Sequence, residues 1–114
     1  MLVTERRLPI ELIHCSPTRQ TRFWAKVRKG PDCWIWTGAN TGHATHPYGR
    51  FRIGYGQFVA HRVAWVLDHG EDLPPEMEID HLCRRTLCVR PSHLDAVTHG
   101  ENLRRGRRWT GDQS

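Results

Sequence analysis

The sequence predicts a small α+β domain held together by a metal ion. Three observations carry that reading. A chain of 114 residues has room for one domain with a modest core, the kind of core that a metal site reinforces. Helical and strand patterns alternate along it in short pieces. Three soft ligands, Cys83, Cys88 and His93, follow one another at five-residue intervals.

Residues 1–17 lack a clear apolar period and are expected to form a loosely ordered N-terminal arm ending at Ser16-Pro17. The stretch TRQTRFWAKVRK, residues 18–29, combines good helix formers with an apolar set at Phe23, Trp24 and Val27. Gly30-Pro31 supplies the stop, so a helix is expected there. Cys33-Trp34-Ile35-Trp36-Thr37 is dense in β-formers and reads as a strand, followed over 38–47 by a polar loop carrying His43 and His46. Next, Tyr48, Arg50 and Arg52 alternate with Phe51 and Ile53, and Gly54 and Gly56 can turn the chain, so a hairpin returning through 57–59 is expected. Val63, Ala64 and Leu67 at helical spacing, with Gly70 behind them, predict a core helix over 60–69. Leu73-Pro74-Pro75 is a connector. Thr98 and Glu101 have the spacing of a capping box, which starts a last helix carrying Asn102. The domain is thus expected over residues 18–106, with 107–114 as a basic tail.

Seventeen Lys and Arg against twelve Asp and Glu give a formal charge of +5, which favours a polyanionic partner, nucleic acid first. Arg104, Arg105, Arg107 and Arg108, together with Arg50 on the hairpin, are the candidate DNA contacts. The first thirteen residues place Glu5, Arg6, Arg7, Pro9 and Glu11 where a secretory signal needs an apolar core. No stretch approaches the roughly 18 apolar residues of a membrane span, so a cytoplasmic protein without a membrane partner is expected. In that reducing compartment cysteines serve as thiols, metal ligands or catalytic groups before they serve as disulfides.

A closed zinc site takes four Cys or His ligands in a tetrahedron, so Cys83, Cys88 and His93 need a fourth. Cys33 is the best candidate, because it opens a strand able to pack beside the loop; Cys15, in the arm, is the weaker one. The alternative makes Cys83 and Cys88 buried thiols or a disulfide, but Arg84, Arg85 and Thr86 between them are poor company for a buried run. A second group is Asp80-His81 with Asn102 twenty-one residues after the histidine. Asp and Asn oxygens suit a hard cation such as Mg²⁺ or Mn²⁺, and a neutral His can take a proton from water. These are the parts of a one-metal phosphodiester hydrolase. Arg50, Arg52 and Arg62 can brace the phosphate, with Arg52 and Arg62 ranked first; His61 and His99 can orient a neighbour or touch DNA.

His81-Leu82-Cys83, Cys88, Pro91, His93-Leu94 and Asn102, with CWIWTG at 33–38, YGRF at 48–51 and AHRVAW at 60–65, resemble the HNH, or ββα-metal, endonucleases. The nearest branch is the His-Cys box type, and the small HNH proteins common in phage genomes are similar as well. The likeness spans Phe23 to Gly106. It implies a ββα-metal domain with a structural zinc, flanking helices and a hairpin, acting on double-stranded DNA. His81 then corresponds to the general base, Asp80 and Asn102 to ligands of the catalytic Mg²⁺, and Cys33, Cys83, Cys88 and His93 to the zinc ligands. Relatives often carry Asn where this chain has Arg90, a departure that touches the local turn. The resemblance also implies association with phage packaging proteins for single-domain members, although no residue here reads out such a partner or an oligomeric state. A different class of function is a catalytically silent zinc module that only binds nucleic acid. Asp80, His81 and Asn102 favour the enzyme, since a binding module has no use for a base beside a metal pocket.

Overall fold

Four helices and three antiparallel strand pairs account for the regular structure of the described residues. These are 8–42, 47–54, 56–74 and 76–105 of the computed structural model. The helices are α1 (Ile10–Ile13), α2 (Pro17–Trp24), α3 (Ala60–His69) and α4, which occupies 99–105 within the described residues. Strand β1 (Val27–Lys29) pairs with β2 (Trp34–Trp36), β3 (Arg50–Ile53) with β4 (Gly56–Val59), and β5 (Met77–His81) with β6 (Leu94–Thr98). A short 3-10 turn, Pro91–His93, leads into β6. Strand β5, strand β6 and helix α4 follow one another as the strand, strand and helix of a ββα unit. No described helix is long and apolar enough to cross a membrane.

The helix expected over 18–29 is shorter than its pattern. It begins at Pro17, where the Ser16 Oγ accepts the Arg19 N–H at 3.3 Å, and it ends at Trp24. Val27–Lys29 is instead a strand, with Val27 opposite Trp36 and Lys29 opposite Trp34. The Gly30 N–H donates to the Cys33 carbonyl across the turn, and the Lys29 ammonium sits 4.5 Å from the Trp34 ring centre. Cross-strand partners of this kind override a local helical preference.

Residues 8–16, expected to be loose, pack onto the core. Leu8 and Ile13 are fully buried, and the Leu8 N–H donates to Asp72 Oδ2 at 2.9 Å. Such ordering comes from distant partners and leaves no period in the local sequence.

The core sits where α2, β2, β3 and α3 meet. Phe23, Trp36 and Phe51 form a triangle of rings with centroids 5.0, 5.2 and 5.9 Å apart. Helix α3 is buried from Ala60 through Val66, and Gly70 closes it at φ 77°, a left-handed conformation that suits glycine. Gly49 is fixed by packing, because a Cβ there would overlap the Trp36 ring. These contacts hold the β3–β4 hairpin and α3 against the end of β5, where the candidate site lies.

Candidate functional site

Strand β5 ends at His81, and the chain then loops through 82–90. Two backbone bonds sew this loop to β2: Trp36 N–H to the Leu87 carbonyl at 2.8 Å and Val89 N–H to the Trp34 carbonyl at 2.7 Å. They bring Cys83, Cys88 and His93 beside Cys33, and the four ligand atoms all lie within 4.8 Å of one another. His93 Nδ1 is 3.6 Å from the Cys33 Sγ and 3.5 Å from the Cys88 Sγ. A tetrahedron with zinc bonds of about 2.0–2.3 Å has edges of roughly 3.5–3.8 Å, which the two His93 separations match, and the whole group is close enough to gather around one ion. All four cysteines are free thiols, and Cys15 is exposed outside the cluster. Burial, followed by the neighbouring Cys88 and Cys83, pushes the Cys33 thiol up to about 12, and burial raises Cys83 as well. A divalent cation relieves that crowding by accepting the thiolates. Arg90 donates to the carbonyls of Pro31 at 3.2 Å and Asp32 at 2.6 Å, which ties the loop to the turn ahead of Cys33.

His81 turns toward α3 and is 8 % exposed. Its ring meets that of His61, also 8 % exposed, edge to face at 4.5 Å between centroids, and Tyr48 flanks both at 5.7 and 6.4 Å. His81 Nε2 and His61 Nδ1 are buried without a hydrogen-bond partner. Burial lowers the His81 pKa to about 4, with the Arg84 charge adding to it, while Asp80 and a backbone hydrogen bond at Cys88 pull the other way. Burial, the His81 ring and Arg62 hold His61 well below the ordinary range too. At neutral pH His81 is therefore an uncharged imidazole with an unpaired nitrogen.

Asp80 turns the other way, toward α4. Alternation along β5 puts Glu78 and Asp80 on the same face, and Asn102 and Arg105 share a face of the helix at i, i+3. Contacts join the two faces in parallel. The Asn102 side-chain nitrogen donates to Glu78 Oε1, His99 Nδ1 lies 3.1 Å from Glu78 Oε2, and Arg105 reaches Asp80 Oδ2 at 3.0 Å. The other Asp80 oxygen accepts from Arg84 at 3.0 Å, and the carboxylate is 3 % exposed. Arg84 takes a left-handed backbone, φ 61°, beneath this pair. Asp80 and Asn102 thus face the β5–α4 interface while His81 faces α3, so the carboxylate and the imidazole expected side by side lie on opposite faces of β5, and the direct partner of Asn102 is Glu78. The sequence reading gave Glu78 no role; its position two residues before Asp80 was the available signal. Thr98 caps α4 through its Oγ1, which accepts the Glu101 N–H at 3.2 Å.

The arginines divide differently from their expected ranking. Arg62 is 6 % exposed and bound by two bonds to Asp72, at 3.2 and 2.8 Å, so it braces the core in place of a phosphate. Asp72 can hold it there because the same carboxylate also accepts the N–H groups of Leu8 and Leu73. Arg52 is exposed on β3 opposite Gln57. Arg50 is half-buried, two residues along the strand from Tyr48, with its Nε buried and unpartnered. Arg105, expected at DNA, is committed to Asp80, Asp95 and Glu101, whose bonds raise its pKa. Arg104 pairs with Glu101 at the surface and stays largely exposed. Arg107, Arg108, His43 and His46 lie outside the described residues.

Residues 58–104 match a family model described as HNH endonuclease. No curated protein and no solved structure matches the chain.

Proposed function

From the match of residues 58–104 to a family model described as HNH endonuclease, we infer a metal-dependent endonuclease that hydrolyses phosphodiester bonds of double-stranded DNA with one Mg²⁺ per site. His81 is its general base. The observation that carries this reading is the His81 ring itself: neutral at working pH and buried, with Nε2 unpaired. His61 shares these properties, its Nδ1 being buried and unpaired as well, and the place of His81 in the HNH-like pattern with Asp80 and Asn102 is what separates the two. In the reaction Nε2 takes a proton from water as the water oxygen bonds to phosphorus, and the P–O3′ bond breaks on the opposite side.

Asp80 and Asn102 offer oxygen ligands that suit Mg²⁺ or Mn²⁺. Each Asp80 oxygen meets one guanidinium and keeps a second lone pair, through which it would take a hard cation once the Arg84 and Arg105 side chains give way to it. Bound there, the ion supplies charge stabilisation at the phosphate and the leaving oxygen. Cys33, Cys83, Cys88 and His93 hold a zinc that does no chemistry and fixes the loop behind His81. Arg50, with its buried Nε unpartnered, replaces Arg62 as the side chain to brace the phosphate.

Incubating the protein with supercoiled plasmid, with and without Mg²⁺ or Mn²⁺, tests the assignment. Divalent-dependent nicking supports it. Retention of DNA without nicking under any divalent ion overturns it in favour of the silent binding module.

A further inference from the structure

Glu78 lies beside the proposed cation site and has no part in the mechanism above, yet both its carboxylate oxygens are engaged. One accepts from the Asn102 side-chain nitrogen and the other lies 3.1 Å from His99 Nδ1. Register fixes this placement, since Glu78 is held opposite Val97 in β5–β6 and α4 begins immediately after β6. Thr98 caps the helix start and so fixes where Asn102 falls along it.

An asparagine amide is ambiguous as a metal ligand. Its oxygen binds a cation and its nitrogen repels one, and the two ends have nearly the same shape. Rotation by half a turn about the last bond converts a ligand into a blocker. An ionised carboxylate removes the ambiguity because it can only accept hydrogen bonds. The Asn102 nitrogen must face Glu78, and the oxygen must face away from it.

We propose that Glu78 is a positioning residue that sets the orientation of the Asn102 amide, presenting its oxygen to the catalytic cation. This rests on the reading of Asn102 as a ligand given above. His99, on the second Glu78 oxygen, limits the rotation of the carboxylate. Partners of this kind around a ligand are typically worth about 10–100-fold in metal affinity.

The test is Mn²⁺ titration of the zinc-loaded full chain without DNA, following the paramagnetic resonance of free Mn²⁺. Asn102→Ala should weaken binding, and Glu78→Ala should weaken it by roughly 10–100-fold. Glu78→Gln should recover most of the loss, because its carbonyl still accepts from the Asn102 nitrogen. The decisive arm uses Asn102→Asp, whose two carboxylate oxygens are equivalent and need no orienting. In that background Glu78→Ala should cost nothing. An equal cost in both backgrounds would mean that Glu78 acts as a ligand or through its charge, and the proposal fails. It also fails if Glu78→Gln is as weak as Glu78→Ala, or if Glu78→Ala binds like the wild type. If the wild type binds no Mn²⁺, or Asn102→Ala leaves its affinity unchanged, the cation assignment itself is overturned and this inference with it.

Discussion

His61 and His81 meet edge to face with 4.5 Å between their ring centroids, and each keeps one buried nitrogen without a partner. Both rings are thereby held in the uncharged form. The unfolded chain takes up protons on its histidines below about pH 6.5, whereas folded His81 does so only near 4. The stability gained from keeping His81 neutral is thus complete above pH 6.5 and is lost as pH falls from 6.5 to 4. His81 alone accounts for on the order of 3 kcal/mol across that window, and His61 adds in the same direction. Urea unfolding midpoints measured from pH 7.5 to 4.5 should fall accordingly. Midpoints that stay level would show that the pair is not buried as described.

His81→Ala should remove about 10²–10⁴ of the cleavage rate while the zinc content stays at one per chain. Residual nicking should rise with pH as hydroxide replaces the missing base. In the wild type the depressed pKa keeps the base unprotonated well below pH 6.5, so the acid limb of the rate profile should begin near pH 5 or lower. Plasmid nicking over a pH series reads both effects, and wild-type nicking by His81→Ala at neutral pH sinks the mechanism.

Cys33→Ser and Cys88→Ser should each lose the bound zinc and most of the folded population, because the cluster joins β2 to the loop that follows β5. Cys15→Ser should leave one zinc per chain, its thiol being exposed and outside the cluster. Elemental analysis with circular dichroism decides. Equal zinc content in all three variants would exclude the Cys3His assignment.

Arg62→Ala should destabilise the fold by about 1–3 kcal/mol, since it leaves the half-buried Asp72 carboxylate with its two backbone donors but without its cation. Arg52→Ala, on the exposed face of β3, should stay within about 0.5 kcal/mol of wild type. Thermal denaturation separates the two. An Arg62 variant of normal stability that nicks poorly would restore the phosphate-bracing role that its sequence neighbourhood suggests.

The parts of this molecule that were legible in sequence are those set by local chemistry. Helix α3 with its Gly70 terminus, the β3–β4 hairpin, the Thr98 cap and the Cys83, Cys88, His93 spacing all announce themselves within a dozen residues. Cys33 was identifiable as the fourth cluster member because it opens a strand. What stayed hidden depends on partners far along the chain. Val27–Lys29 carries a helical pattern until Trp34–Trp36 pairs with it, and Leu8 is unremarkable until Asp72, 64 residues away, accepts its N–H. Charge was the least informative signal. Arg62 and Arg105 look like phosphate contacts in a basic chain, yet carboxylates fix both, and which arginine finds a carboxylate is decided only by packing.

The Cys3His cluster also imposes an order on biosynthesis. Cys33 and His93 are separated by 60 residues, and Asn102 comes later still. At about 5–20 residues per second the ribosome takes roughly 3–12 s to pass from the first ligand to the last, and throughout that interval the Cys33 thiol has no complete set of companions. The loop that follows His81 cannot be closed by an ion until the final ligand has emerged. A chain released short of His93 lacks one of the four cluster ligands, so the loop after β5 cannot close on an ion.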